Sequence, residues 1–127
     1  MINAATATDD REAIASTVQH YLDGTVSGSS ETMSVAFHDG ATIYGYIGPD
    51  LFGGPIQGLY DWHDQNGAAT ELQSRIASTD VEEGAIATAR VELDNWTGHR
   101  FTDMFTLLKT DGQWKIVSKI FYLHPQE

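Results

Sequence analysis

The chain has 127 residues, 41% of them hydrophobic, with eighteen acids against seven bases and no cysteine. That length and apolar content predict a single domain (1–127) with its own core. The net charge of −11 speaks against nucleic acid and anionic membranes, which need a basic footprint, and the lack of cysteine removes disulfides and thiolate metal sites.

No apolar run is long enough to span a bilayer. The start, "MINAATATDD", has no basic segment followed by an apolar one, so a cytoplasmic protein is the expectation. Residues 1–8 are expected to be flexible. Thr8, Asp9 and Asp10 then open a helix, with Asp9 as cap and Glu12 completing a capping-box-like pair. Ile14, Val18, Tyr21, Leu22 and Val26 follow helical spacing, which predicts one buried face, and Gly28 is a stop. Ser29 or Ser30 caps a short second helix through Phe37. "HDGATIYGY" reads as a turn and a strand. "IGPDLFGGPIQG", with four glycines and two prolines, reads as a loop, a hinged lid in function. A third helix follows, about Ile56 to Gln65.

The second half alternates as strands. Residues 72 to 82 form one, Glu83-Gly84 turns, and Ala85, Ala87, Ala89, Val91 and Leu93 share one face of the next. "DNWTGH" is a turn region, with Trp96 at a rim or a dimer contact. The last two strands meet at Thr110-Asp111-Gly112-Gln113, a hairpin signal that fixes register. Lys109 should face Trp114, Leu107 should face Ile116, Phe105 Ser118, Asp103 Ile120 and Phe101 Tyr122. Side chains alternate between the faces of a sheet. The inner face therefore carries Phe101, Asp103, Phe105 and Leu107 beside Trp114, Ile116, Ile120 and Tyr122, and one carboxylate stands in an apolar row. Burying a lone carboxylate costs several kcal/mol, so Asp103 should meet donors or line a cavity. Helices followed by a sheet covered on one face give an α+β domain.

The order of helix, "AFHDGATIYG", loop, helix and long strands ending "DGQWKIVSKIF" resembles the nuclear transport factor 2-like fold, a cone of curved sheet wrapped around N-terminal helices. The block "FTDMFTLLKTDGQWKIVSKIF" is most similar to the "Putative lumazine-binding" subgroup. Ketosteroid isomerase and SnoaL-like proteins share that cone. The first-helix motif of ketosteroid isomerase resembles Val18-Gln19-His20-Tyr21, and its late-strand Asp resembles Asp103. This implies a Tyr21–Asp103 oxyanion-stabilising pair. The third-helix Tyr of that enzyme falls at or beside His63, and its general base falls on Gly45, so the base is missing.

Candidate catalytic residues are therefore Asp103, Tyr21 and His63, the last as hydrogen-bond partner or proton shuttle. Candidate ligand-binding residues are Phe37, Tyr44, Tyr46, Trp62, Phe101, Phe105, Ile120 and Tyr122. The first reading is a binding protein for a small apolar or aromatic ligand. The alternative is an enzyme of isomerase, dehydratase or epoxide hydrolase type built on the same pocket. No cofactor and no metal are expected, because no histidine pair has ligand spacing and no phosphate cradle or serine elbow occurs. Met104, Val117 and Phe121 on the opposite sheet face predict a homodimer through that face.

Overall fold

The computed structural model describes the backbone of residues 4–126 and the side chains of residues 9–126. Three helices cover one face of a six-stranded mixed sheet that does not close, an α+β cone. The elements run α1 (Ala4–Ser27), α2 (Ser30–Ser34), β1 (Phe37–Ile47), β2 (Asp50–Pro55), α3 (Gln57–Asn66), β3 (Gln73–Glu82), β4 (Ile86–Trp96), β5 (His99–Thr110) and β6 (Gln113–Leu123). Their order across the sheet is β2-β1-β6-β5-β4-β3. Only the β1–β6 pair is parallel. No helix among the described residues is long and apolar enough to cross a membrane.

The long first helix begins before the expected cap. Residues 4–8 are helical and Asp9 lies inside the helix, while expectations for residues 1–3 fall outside the described residues. Its neighbour Asp10 serves a tertiary contact. One carboxylate oxygen accepts from Lys109 Nζ at 3.1 Å and from Trp114 Nε1 at 3.2 Å. These bonds fasten α1 to the far end of the β5–β6 hairpin, and the Lys109 bond holds the Asp10 carboxyl below its ordinary range. Ile14, Val18, Tyr21 and Leu22 are buried as their spacing predicts, but Val26 is exposed and Thr25 is buried at the last turn. Gly28, with φ of 74°, ends the helix. Ser29 then accepts from the Thr32 amide at 3.1 Å and starts α2. That helix stops at Ser34, because Phe37 already belongs to β1.

The Gly- and Pro-rich stretch is not all loop. Asp50–Pro55 is an edge strand paired antiparallel with β1, from Ile47↔Asp50 to Thr42↔Pro55. The Tyr44 ring lies against Gly53, where a Cβ would collide with it, so glycine here makes room for an aromatic from the neighbouring strand.

Two irregularities decide which side chains face inward. The β5–β6 hairpin keeps the expected register from Thr110↔Gln113 to Leu107↔Ile116, and then Thr106 pairs with Ser118. Val117 is an extra residue, a β-bulge. Beyond it every side chain of β6 changes face. Phe105 lies opposite Lys119, Asp103 opposite Phe121 and Phe101 opposite Leu123. Ile120 and Tyr122, expected inside, point outward and are 56% and 49% exposed, whereas Lys119 and Phe121 are buried. The second irregularity lies between Leu93↔Phe101 and Trp96↔His99, with Asn95 at φ of 57°. It turns Trp96 into the core, at 5% exposure, in place of the expected rim position.

On β1, Ala41, Ile43 and Gly45 face inward, and Tyr44 and Tyr46 face outward at 46% and 53% exposure, against the expectation of a pocket position. Gly45 pairs with Phe121, and a Cβ built on it would strike the Phe121 carbonyl oxygen and ring. No larger residue fits there while Phe121 points inward. Gly45→Ala is therefore expected to cost about 1–3 kcal/mol from overpacking, read as a lower urea midpoint at unchanged slope.

Candidate functional site

The site begins at Asp103, which is fully buried on the inner face of β5. Tyr21, on the buried stripe of α1, donates from its hydroxyl to Asp103 Oδ2 at 2.9 Å. The Tyr21 ring is held edge-on by Phe105 at 5.4 Å and Phe37 at 5.9 Å between centroids, so the phenol has little room to turn. Tyr21 and Asp103 are thus in hydrogen-bond contact. Phe37 and Phe105, expected to touch a ligand, instead pack around the phenol.

The third member was not legible in the sequence. Lys119 Nζ lies 3.4 Å from Asp103 Oδ1, and the lysine side chain is 3% exposed. It sits two residues before the direct partner of Asp103 on β6, a diagonal cross-strand position that a long side chain can reach. Its amine also stands over the Phe121 ring at 4.8 Å and the Tyr21 ring at 5.5 Å, where aromatic faces attract a cation. Burial pushes the Asp103 carboxyl up, with the Lys119 charge and the Tyr21 hydroxyl pulling against it. Burial likewise pushes the Lys119 amine down, opposed by Asp103. Both groups are drawn toward their uncharged forms. The Tyr21 phenol is pushed far above its ordinary range, first by burial and then by Asp103, and remains a donor.

A pocket of about 80 Å³ lies against this cluster. Ile43 and Ile47 of β1, Phe52 of β2, and Leu59 and Trp62 of α3 form one side. Trp96, Phe101 and Phe121 form the other, and Lys119 is the one charged residue in the lining. Trp62 and Phe101, two of the candidate ligand-binding residues, line this pocket. Tyr44, Tyr46, Ile120 and Tyr122 do not, for they stand on the opposite face of the sheet. Ile47 and Trp62, at 47% and 38% exposure, mark the open side. The Asp103–Tyr21 pair lies behind Lys119, which is the polar group presented to the pocket.

His63 is fully buried, and neither ring nitrogen has a hydrogen-bond partner. It stacks on Trp96 at 5.2 Å and 24° and meets Trp62 edge-on at 5.2 Å. The expected hydrogen bond to Tyr21 is absent, since that hydroxyl is committed to Asp103. Burial, reinforced by the Lys119 charge, lowers the imidazole to about 4, so the ring is neutral at pH 7. His38, by contrast, is an exposed turn residue whose Nδ1 accepts from the Gly40 amide at 2.9 Å.

The depressed His63 value carries a stability consequence. Below 6.5, the ordinary value, the unfolded chain takes up a proton that the folded chain refuses until about 4. Stability attributable to this ring is complete above 6.5 and falls as the pH drops through that window, by about 3 kcal/mol in total. Urea denaturation at pH 7 and pH 5 should show a smaller loss for His63→Phe than for the parent chain.

The chain as a whole is similar to known proteins. Aldolase FrzH from Cladobotryum sp is 34% identical over 118 residues, covering 91% of this chain and 92% of that protein. An NTF2-like protein of unknown function from Methylobacillus flagellatus has a crystal structure that superposes with a TM-score of 0.90 at 48% identity, covering 98% of this chain and 96% of that one. A ketosteroid isomerase-like protein from Erwinia carotovora atroseptica shares the fold at a TM-score of 0.70 and 13% identity, covering 91% of this chain and 96% of the other. The family model described as "Putative lumazine-binding" matches residues 9–122. This chain belongs to that family, within the nuclear transport factor 2-like superfamily.

Proposed function

We propose that this chain binds the carbonyl end of a small, largely apolar organic compound in the cone pocket and promotes enolate-level chemistry at the neighbouring carbon. The observation that carries this reading is Lys119, the one charged residue lining an apolar pocket, backed by the Asp103–Tyr21 pair. Pockets of this type orient a ligand through a few converging polar groups. A carbonyl oxygen placed at the lysine would accept a hydrogen bond as negative charge develops on it. Asp103 Oδ1 faces the lysine amine at 3.4 Å and is the carboxyl oxygen placed to exchange a proton there. The aldolase name of the relative FrzH supports carbon–carbon bond chemistry over the isomerase, dehydratase and epoxide-opening alternatives. A base at position 45 is sterically closed, which also weighs against a direct copy of steroid isomerisation. His63 belongs to the wall behind Trp96 in this reading and moves no proton.

The pocket size bears on the family description. A dry cavity that admits benzene measures about 150 Å³, and this one is about 80 Å³. A fused two-ring heterocycle such as lumazine would not fit inside it whole. A carbonyl group with two or three attached carbons fits, with any longer part emerging between Ile47 and Trp62.

The test is hydrogen–deuterium exchange at the carbon next to the carbonyl, followed by proton NMR across short aldehydes and ketones. The parent chain should accelerate exchange for at least one compound. Lys119→Met and Asp103→Asn should each lower that rate by about a hundredfold or more. No acceleration across the panel, together with no shift in melting temperature on adding the compounds, would reject the reading.

A homodimer through the outer sheet face belongs to the same proposal. Tyr44, Tyr46, Met104, Ile120 and Tyr122 are all 46–56% exposed there, and Tyr44↔Ile120, Tyr46↔Tyr122 and Met104↔Ile120 are neighbours across strands. Contiguous apolar patches of this kind mark interaction surfaces. Light scattering should give twice the chain mass, and Ile120→Lys should return it to that of a monomer.

A further inference from the structure

We infer that Lys119 is a covalent catalyst whose side-chain amine forms an imine with the carbonyl substrate at the floor of the pocket. This inference rests on the proposed carbonyl chemistry and deepens it by naming the bond that is made.

The geometry separates Lys119 from the chain's other lysines. Lys109 is 36% exposed and paired with Asp10, and Lys115 donates to the Val35 carbonyl at 2.7 Å. Lys119 is 3% exposed and yet is among the residues that line the pocket. Its one carboxylate neighbour among the described residues is Asp103, at a distance longer than a well-formed charged hydrogen bond. A lysine held in apolar surroundings is readily present as the free amine, the nucleophilic form. The direction of its shift agrees with this. A purely structural ion pair would not need the amine to border a pocket.

The steps balance without any outside oxidant or reductant. The Lys119 nitrogen adds to the carbonyl carbon, and the resulting oxygen takes one proton from that nitrogen and a second from the Asp103 carboxyl. That oxygen then leaves as water while the nitrogen pair forms the C=N bond of an iminium, and Asp103 is left as the carboxylate. Asp103 Oδ1 accepts a proton from the adjacent carbon, and the C–H pair becomes the C=C bond of an enamine. The enamine carbon attacks a second carbonyl, on another molecule or the same one, whose oxygen takes the proton back. Water adds to the new iminium, the Asp103 carboxylate takes up the proton set free, and the product leaves the free amine. Tyr21 donates to Asp103 Oδ2 throughout, holding the carboxylate so that Oδ1 faces the amine.

The experiment uses the intact chain and 2,4-pentanedione, a diketone that condenses with free amines to a stable conjugated product with loss of water. At pH 7, peptide mass mapping should find that product on Lys119 at least tenfold faster than on Lys109 or Lys115. A short ketone that supports hydrogen exchange should slow this labelling and should itself be trapped on Lys119 by borohydride. Lys119→Arg keeps a cation beside Asp103 but cannot form an imine, and it should lose both labelling and exchange. Exchange that persists in Lys119→Arg, or in the parent chain with Lys119 unlabelled, would overturn the imine while leaving the carbonyl reading in place. Absence of exchange, trapping and labelling together would overturn both.

Discussion

Two opposite charges buried in an apolar interior can exist only together. Each ion would cost several kcal/mol to bring out of water alone, and their attraction offsets that only at close range with further hydrogen bonds. Asp103 and Lys119, at 0% and 3% exposure and 3.4 Å apart, set this condition for the cone. The remaining features of the interior follow from meeting it. Tyr21 must be on the α1 stripe to satisfy the second carboxylate oxygen. Phe37 and Phe105 must hold the phenol in place, and Phe121 must lie under the amine. Replacing such a pair by well-packed apolar residues is often neutral or stabilising in other proteins. Stability alone therefore gives a weak reason to keep it, and perturbed groups beside a cavity point toward chemistry.

The device that brings these groups together is a single extra residue. Without Val117 as a bulge, strict alternation would aim Ile120 and Tyr122 inward and send Lys119 to solvent. Asp103 would then be buried with Tyr21 alone. The bulge has a steric corollary at β1, where Phe121 swings inward and occupies the space over Gly45. An inward Lys119 brings an inward Phe121 with it, and that excludes a carboxylate at position 45. The charged group and the absent base are two consequences of one backbone irregularity. The shift at Asn95 acts in the same way on β4, delivering Trp96 to stack on His63 and wall the pocket.

The legible part of the sequence was whatever follows an unbroken period. The Ile14–Leu22 stripe, the Asp-Gly hairpin, the first pairs beyond it and the inward Asp103 all follow from helical or strand spacing plus a strong turn. The α+β class followed from the order of those elements, and the cone from its resemblance to the nuclear transport factor 2-like fold. Reading failed where the period is broken by a residue with no signature. Nothing in "WKIVSKIF" distinguishes Val117 as extra, and the register carried unbroken from the Asp-Gly turn puts Ile120 and Tyr122 inside. Tyr44 and Tyr46 were misassigned for a related reason, since either set on β1 is apolar enough for the core. Strand β2 was hidden because its glycines and prolines mark both a loop and an edge strand shaped to a neighbouring tyrosine.

The same pairing restricts what the pocket can attract. A lysine alone at the end of an apolar funnel would favour carboxylates and phosphates. Here Asp103 stands beside it, and the chain as a whole carries −11, a net charge that opposes the approach of anions. An anionic ligand reaching Lys119 would also approach the Asp103 carboxylate, two like charges in a medium that screens them poorly. A neutral carbonyl avoids both penalties. It needs one donor for its oxygen and apolar walls for its carbon atoms, and Ile43, Phe101 and Phe121 supply such walls beside a single amine. The electrostatics of the cluster and the size of the cavity thus favour the same class of ligand, small and uncharged where it meets the protein, with any polar remainder left outside the ring of Ile47 and Trp62.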